Sequence, residues 1–335
     1  MGKHYEYSTE MKDFVKLKIE SLRNSTSVAR QLIKEFDIAD ELELEAARKY
    51  VAKIRRNTQK KNGRIKIKRL FWDVETGYYK TPVYSAYKQF VKPENLEGDK
   101  KIICISYKWQ YEDKVHTLTW DSKQDDKKMI QKFVKIIGQA DEIVAHNGDK
   151  FDIKELRTRA MLQGVLMFPK YRTIDTLKKS RKFFRFPANS LNYLGIRLDV
   201  TRKLDSVGFD LWRRCQEGYS KKDPELNEKK TKKEIQKEAL AEMVNYCEHD
   251  VMALEDIFNV MMPFIDHNTN YSVLNGGPKW SCPECTSGNV QLSHTDTTPM
   301  GYIKRHMKCN DCHKGYHISN RSFQSFLTKH IQLIT

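Results

Sequence analysis

The fold of this chain is decided by the stretch Phe71-Trp72-Asp73-Val74-Glu75-Thr76, which ends an alternating apolar run typical of a β-strand. Side chains at alternate strand positions lie on the same face, so Asp73 and Glu75 are predicted to project together. Two adjacent like charges are costly unless a cation neutralises them, and divalent cations prefer hard oxygen ligands. The alternative is a strand end with two solvated acids, and the rest of the sequence decides between the two.

The composition indicates a polyanionic partner. The 335 residues include 60 Lys and Arg against 44 Asp and Glu, a formal net charge of +16, and the segment 48–69 holds eleven cations and no acid. Such an excess favours nucleic acid first and an anionic membrane surface second. Because the sequence has neither an apolar run of spanning length nor an export leader, we expect a soluble protein of a bacterial or viral-host cytoplasm that is neither secreted nor membrane-bound.

Sequence patterns divide the chain into three units. Residues 1–62 are predicted to form helices near 9–23, near 27–36 and from about 41 to 56, followed by a linker at 59–63. This unit is either a helix-turn-helix that reads DNA, or a plain three-helix packing or partner-binding module. Glu41, Glu43 and Glu45 disfavour the first interpretation, because phosphates would repel them.

The middle unit, 64–268, shows the pattern of an α/β domain with one mixed sheet. After the first strand, the sequence predicts strands at 102–107, 115–120 and 143–145 and helices at 125–137, from 152, from 190 and at 232–261. The Lys- and Glu-rich segment 220–238 is interpreted as a solvated insertion or the exposed start of the last helix.

Two further stretches of the middle unit carry acids. Asp152 follows the strand at 143–145, so it lies at the carboxyl end of the sheet, where ligands of α/β folds gather, although it would also suit a helix cap. Tyr246 and Asp250 are four residues apart on a predicted helix and therefore share a face.

In this order, Asp73, Glu75, Asp152 and Tyr246-x3-Asp250 resemble the three motifs of the DEDD superfamily of 3′→5′ exonucleases. The third motif resembles that of the Tyr subgroup, because the His subgroup has a histidine where this chain has Asn245. The segments 171–177 and 190–194 resemble parts of proofreading exonuclease domains, and 211–218 looks like the bacterial and viral relatives of the family B DNA polymerase exonuclease domain. The resemblance covers about residues 64–266 and implies a ribonuclease H-like fold, an α/β mixed sheet flanked by helices.

The resemblance also implies a mechanism. Two Mg²⁺ or Mn²⁺ ions can activate water, stabilise charge at phosphorus and assist the leaving oxygen. By this resemblance Asp73 bridges both ions, Glu75 and Asp152 complete their shells, Asp250 anchors the first ion, and Tyr246 positions the attacking water. The residues expected to hold the terminal nucleotide are Thr76, Gly77, Asn147 and Phe151.

The third unit, 275–335, carries paired cysteines. Cys282-x2-Cys285 and Cys309-x2-Cys312 are separated by 23 residues, a pattern that predicts a zinc ribbon with one structural Zn²⁺. The other three cysteines lie in apolar surroundings and are expected to be buried structural thiols of a reducing compartment. The ribbon is either a metal-stabilised folding unit without a binding role or a unit that contacts nucleic acid. The contacts would come from its basic and aromatic residues, which are Lys304, Arg305, Lys308, Lys314, Tyr302 and Tyr316.

The sequence therefore predicts a metal-dependent 3′→5′ exonuclease that acts on single-stranded or frayed DNA in replication or repair. One alternative is an RNA 3′-processing exonuclease, since the same acids cleave either backbone and only contacts to the 2′-OH discriminate. The other is a DNA-binding or regulatory protein whose nuclease core is inert. The complete acid set disfavours this last interpretation, because without metal the acids would repel phosphate.

Overall fold

The N-terminal part of the chain is a packed group of three helices. The computed structural model describes residues 5–21, 25–39, 43–61, 67–83, 85, 87, 90–110, 112–201, 208–266, 269–274 and 276–331. Helices α1 (Thr9–Ser21), α2 (Ser25–Glu35) and α3 (Leu44–Lys61) enclose a small apolar core that includes the fully buried Val15, Leu32 and Val51. The predicted linker at 59–63 starts too early, because α3 continues through Lys61.

The middle of the chain forms a five-stranded mixed sheet. Its strands are β1 (Arg69–Thr76), β2 (Ile102–Trp109), β3 (His116–Thr119), β4 (Glu142–Ala145) and β5 (Thr173–Asp175). The order is β3-β2-β1-β4-β5, with β1–β2 and β2–β3 antiparallel and β1–β4 and β4–β5 parallel. The predicted α/β fold with one mixed sheet is confirmed, and the acid-bearing strand β1 is its centre.

Helices cover both faces of this sheet. The helices of this part of the chain are α4 (Lys127–Ile137), α5 (Asp152–Leu162), α6 (Thr176–Phe183), α7 (Leu191–Arg197), α8 (Phe209–Glu217), α9 (Pro224–Lys229), α10 (Lys232–Met261) and α11 (Tyr271–Leu274). Helices α4 and α5 pack on one face of the sheet and α10 on the other. The segment 220–238 contains α9 and the exposed start of α10. Helix α10 begins where predicted because Thr231 and Glu234 form a capping box that satisfies free N–H groups.

The alternation along β1 separates its two faces. Trp72 packs against Phe133 of α4, with ring centroids 5.2 Å apart, whereas Phe71 packs against Phe258 of α10 at 5.3 Å. Because successive side chains alternate, Asp73 and Glu75 lie on the same face as Phe71, toward α10. This arrangement turns the acids of β1 toward the long helix that carries Asp250.

The C-terminal part of the chain is a small unit with its own apolar core. Strands β6 (Val290–Thr297), β7 (Ile303–Cys309) and β8 (Gly315–Ser319) form an antiparallel sheet in the order β6-β7-β8. Helix α12 (Asn320–Ile331), which the sequence reasoning did not predict, covers one face of the sheet through Phe323 and Phe326.

A buried arginine joins this unit to the central sheet. Arg69, the first residue of β1, is completely buried and donates from Nε to Glu142 at 2.8 Å. Its Nη1 and Nη2 atoms also contact the two carboxylate oxygens of Glu284 at 3.0 and 3.2 Å. Glu284 lies between Cys282 and Cys285, so the first cysteine pair is attached directly to the strand that carries Asp73.

Two residues expected to contact nucleic acid have structural roles instead. Lys314 is buried and donates to the carbonyl oxygens of Met262 and Ile265, and the hydroxyl of Tyr316 donates to the carbonyl oxygen of Trp280 at 2.6 Å. Each residue is therefore used inside the protein and is not free to bind phosphate or stack on a base.

The basic segment 48–69 is only partly a surface feature. Arg48 and Arg69 are buried, whereas Lys49, Lys53 and Lys68 are exposed, and the side chains of 55–66 lie outside the described residues. Arg48 contacts the sulfur of Met252 on α10 at 3.4 Å, so it attaches the N-terminal helices to the middle unit. Among the described helices, none is long and apolar enough to cross a bilayer.

The Arg69–Glu284 contact should be a main determinant of stability. We expect Glu284→Ala to lower the free energy of unfolding by about 3 kcal/mol, because it leaves a buried guanidinium with one carboxylate fewer. Glu225→Ala is the matched control. It breaks an exposed pair with Lys229 and should cost less than about 1 kcal/mol. Chemical denaturation measures both, and equal effects of the two substitutions would contradict the role of Arg69.

Candidate active site

Three carboxylates from two elements converge at one end of β1. Asp73 and Glu75 come from the strand and Asp250 from α10, and each offers an oxygen within 4.8 Å of the others. Asp250 is buried, and the two strand acids are half-buried. Crowded carboxylates in a partly buried place repel one another, so this group has the right chemistry for a divalent cation with oxygen ligands.

Asp152 lies beside this group and not within it. It is the first residue of α5 and buried, and its Oδ1 accepts the N–H of Val74 at 3.3 Å. Strand β4 pairs with β1 only as far as Phe71, so the Asp152 carboxylate contacts the edge of β1 that β4 no longer covers. The alternative interpretation as a helix cap does not apply, since Phe151 occupies the cap position.

Burial also changes the acidity of Asp152. Removal from water raises the pKa of its carboxyl to about 7. The hydrogen bonds that it accepts from backbone N–H groups act in the opposite direction and lower the pKa. Ionisation of this carboxyl at neutral pH therefore costs free energy, and a nearby cation would remove that cost. This observation favours a metal ion next to Asp152 as well as between the three converging acids.

The turn between β4 and α5 fixes the position of Asp152. Asn147 has a left-handed backbone (φ +69°), and its N–H donates to Oδ1 of Asp175 at 3.0 Å. Gly148 lies so close to β4 that a Cβ atom on it would be 2.3 Å from the Cβ of Ala145 and 3.6 Å from Oδ2 of Asp152. Asp175, which lies in the segment 171–177, therefore supports the turn, and it also caps α6.

Apolar and thiol groups pack around the acids. The ring of Tyr246 is buried and meets Trp212 of α8 edge to face, with centroids 5.9 Å apart. Cys247, the next residue of α10, places its sulfur 3.6 Å from Oδ2 of Asp73. Burial raises the pKa of this thiol well above its usual value, so it stays neutral beside the acids. The prediction that Cys104, Cys215 and Cys247 are buried thiols is confirmed.

The residues expected to hold a nucleotide differ in what they offer. Thr76 is half-buried at the end of β1, and the side chain of Asn147 is also half-buried. Gly77 donates its N–H to the carbonyl oxygen of Lys101 at 2.8 Å, so the backbone donor expected there is engaged within the protein. Phe151 has an accessible ring, 38% exposed.

Lys100 is a neighbour of this site that sequence reasoning missed. Its Nζ lies 5.5 Å from the ring centroid of Phe151 and 5.9 Å from that of Tyr79. It also pairs with Glu155 of α5 at 2.5 Å. No motif marks Lys100 in the sequence, because only the return of the chain from the loop after β1 brings it to the start of α5.

The four paired cysteines form a second candidate metal centre. The sulfurs of Cys282, Cys285, Cys309 and Cys312 all lie within 4.8 Å of one another. The separation is 3.4 Å between Cys282 and Cys312 and 3.6 Å between Cys285 and Cys309. A tetrahedral ion with Zn–S bonds of about 2.3 Å places sulfurs about 3.8 Å apart. The cluster is thus compatible with a zinc ribbon.

Comparison with known families adds to this geometry. Residues 94–262, half of the chain, match the RNase_H_2 family of the RNase_H superfamily. The chain belongs to the RNase_H superfamily. The matched range includes Asp152, Tyr246 and Asp250 but begins after β1, so Asp73 and Glu75 lie outside it. Membership supports a nuclease and therefore a protein that binds nucleic acid.

Among solved structures, a family B DNA polymerase is similar to this chain. It comes from the hyperthermophilic archaeon Pyrobaculum calidifontis, with a TM-score of 0.41 and 16% sequence identity. The match covers 59% of this chain and 25% of the polymerase, so the chain spans about a quarter of that protein's length. No curated protein matches the sequence.

The tight turn before Asp152 provides a test of the site. Gly148→Ala should cost about 1–3 kcal/mol, because the new methyl group overlaps Ala145 and the backbone must shift. The shift should also move Asp152 and weaken the binding of Mn²⁺, measured by calorimetry. Gly315→Ala is the matched control, since its Cβ meets open space. If both variants bind Mn²⁺ as the unsubstituted protein does, the turn does not position the acid.

Proposed function

We propose that the protein is a metal-dependent 3′→5′ exonuclease that removes nucleotides from single-stranded or frayed DNA. The observation that carries the proposal is the convergence of Asp73, Glu75 and Asp250, with the buried Asp152 beside them. Their order along the chain resembles that of the DEDD exonucleases. An inert binding protein would have no use for a carboxylate cluster at the place where phosphate must approach.

The four acids have the chemistry to hold two Mg²⁺ or Mn²⁺ ions. Bound there, the ions would supply charge stabilisation at phosphorus and a more acidic water molecule. Asp73 has an oxygen within 4.8 Å of both Glu75 and Asp250 and would suit the bridging position, whereas Asp152 contacts β1 at the N–H of Val74. The protein's own contribution is to keep these oxygens in place, since β1 is bonded on both sides and α10 crosses its face.

Tyr246 would position the attacking water. It precedes Asp250 by one helical turn, and its packing on Trp212 fixes the ring. A phenol with an ordinary pKa of about 10 is a poor base at neutral pH, so a hydrogen bond that orients the water is the role that its chemistry allows.

The terminal nucleotide would lie against Phe151, with Thr76 and Asn147 nearby. An exposed aromatic ring next to a buried carboxylate offers a stacking surface for a base. Lys100, 5.5 Å from that ring, adds a positive charge for a phosphate. Stacking is tolerant of sequence, so we expect little base preference.

The C-terminal unit, within 275–335, would be a zinc ribbon with one structural Zn²⁺. In the same proposed division of the chain, 1–62 would be a helical module and 64–268 the exonuclease domain. Four cysteine ligands leave no open coordination position, so this metal would act in folding and not in catalysis. Through Glu284, the ribbon also supplies a partner for Arg69 on the catalytic strand.

The nuclease proposal is tested with 5′-labelled DNA. The protein with Mg²⁺ or Mn²⁺ should shorten single-stranded DNA stepwise from the 3′ end and leave circular single-stranded DNA intact. Asp73→Asn should reduce the rate at least about a hundredfold, since several kcal/mol of charge stabilisation would be lost. Asp13→Asn, an exposed acid of α1, is the control and should leave the rate unchanged.

Three outcomes would contradict this proposal. Shortening in the presence of EDTA would exclude metal dependence, an undiminished Asp73→Asn would exclude the acid cluster, and cleavage of the circle would exclude an exonuclease. RNA of the same sequence is assayed in parallel, and faster degradation of RNA would favour the RNA-processing alternative.

The ribbon proposal has its own test. Cys309→Ser should release about one zinc per chain, because one of four thiolate ligands is lost, and should unfold the C-terminal unit. Elemental analysis and limited proteolysis measure the two effects. Cys215→Ser, at a buried cysteine outside the cluster, is the control and should keep its zinc. Unchanged zinc in Cys309→Ser would refute the assignment.

A further inference from the structure

A second group of metal-binding side chains lies on the outer face of the C-terminal sheet. His294 and Asp296 are two residues apart on β6 and so share a face. The strand register places His306 of β7 directly opposite His294. Two imidazoles and one carboxylate thus meet on the exposed side of the sheet, away from α12.

The distances between these groups are short. The rings of His294 and His306 stack with centroids 4.1 Å apart and planes 12° apart. Oδ2 of Asp296 is 2.8 Å from Nε2 of His306 and 3.8 Å from Nε2 of His294. All three side chains offer a ligand atom within 4.8 Å of the others.

The orientation of the His306 ring is compatible with a metal ion that His306 and Asp296 share. Its Nε2 is buried and, within the described part of the chain, makes no aligned hydrogen bond, although Asp296 lies only 2.8 Å away. An N–H that served the carboxylate would point at it, whereas two ligands of one ion point their lone pairs at a common centre. Tetrahedral Zn²⁺ with N and O ligands separates them by about 3.4 Å, and the observed 2.8 and 3.8 Å bracket this value.

This group is separate from the four cysteines. His306 and Cys309 are three residues apart on β7 and therefore lie on opposite faces of the sheet. Cys309 and Met307 are buried in the core of the unit, whereas the side chain of His306 keeps 31% of its surface exposed. A metal ion held by His306 would not compete for the cysteine ligands.

The ligand atoms of these three side chains determine which class of metal ion they can bind. The set contains two imidazoles and a single carboxylate, and Lys304 lies opposite Asp296 in the register, so hard cations such as Mg²⁺ find little attraction. We propose that His294, Asp296 and His306 form a second transition-metal site, of the class that binds Zn²⁺. Three protein ligands leave at least one coordination position for water or for an oxygen atom of another molecule.

The test counts zinc on the full-length protein in excess Mg²⁺, which competes with Zn²⁺ for the carboxylates of the proposed active site. The unsubstituted protein should bind one more Zn²⁺ per chain than His306→Ala or His294→Ala, measured by equilibrium dialysis and elemental analysis. Loss of one ligand should raise the dissociation constant for this ion at least about tenfold. Asp296→Asn, whose side chain is 56% exposed, should have the same effect without a change in the core.

The matched control is His116→Ala. His116 also lies near a carboxylate, 3.4 Å from Glu112, but it stacks on Tyr107 and, among the described residues, belongs to no group of three potential metal ligands. The His116→Ala variant should bind as much Zn²⁺ as the unsubstituted protein. Equal zinc content in the unsubstituted protein and in His306→Ala would overturn the proposal, and so would loss of the same ion in His116→Ala.

Cobalt distinguishes loss of this site from unfolding of the unit. With Co²⁺ as the probe, the thiolate charge-transfer absorption should be the same in the unsubstituted protein and in Asp296→Asn, which reports an intact cysteine cluster. Only the weaker visible bands of an imidazole site should disappear in the variant. Retention of all bands would show that the histidines hold no metal and that Asp296 serves them only as a polar neighbour.

Discussion

Repulsion between Asp73, Glu75 and Asp250 is the constraint on which the rest of this structure depends. Three carboxylates within 4.8 Å of one another are held there by covalent and packing geometry, since two share a strand face and the third lies on a helix packed across it. The apolar contact between Phe71 and Phe258 fixes that helix against the strand. Hydrophobic burial thus opposes the electrostatic cost, and a divalent cation would remove it.

The same strand face carries a buried, paired cation at its other end. Arg69 is buried between Glu142 and Glu284, and its guanidinium also lies 4.8 Å from the ring of Phe258. Strand β1 therefore carries a buried cation at one end and a group of acids at the other. Because Glu284 belongs to the first cysteine pair, the C-terminal unit contributes to the environment of the strand that presents the acids.

Regular elements with strong patterns were predictable from the sequence. The helix at 232–261 has the predicted bounds, because its capping box and its apolar stripe are both local signals. The strand Ile102–Trp109 was recognised from its apolar run, with its end placed two residues early. Helix α12 was missed because the cysteine pattern alone was read in that region, although Phe323 and Phe326 are spaced for a helix face.

Contacts between distant segments were not predictable. Nothing local reveals that Arg69 pairs with a residue 215 positions away, or that Lys314 donates to carbonyl oxygens at the end of α10. Both residues were counted with the basic surface because charge is the only property that the sequence displays. The carboxylate group was predicted from two kinds of signal. Alternation on a strand and spacing on a helix place Asp73 with Glu75 and Asp250 with Tyr246, whereas only the resemblance to the DEDD exonucleases brought the two pairs into one site.

These carboxylates are proposed to hold catalytic metal ions. Anomalous diffraction from crystals grown with Mn²⁺ tests this proposal most directly, because the scattering locates the ions without an assay. We expect two peaks about 4 Å apart, with Asp73 in contact with both and Asp152 and Asp250 in contact with one each. Crystals saturated with Mn²⁺ but without a peak at Asp73 would contradict it.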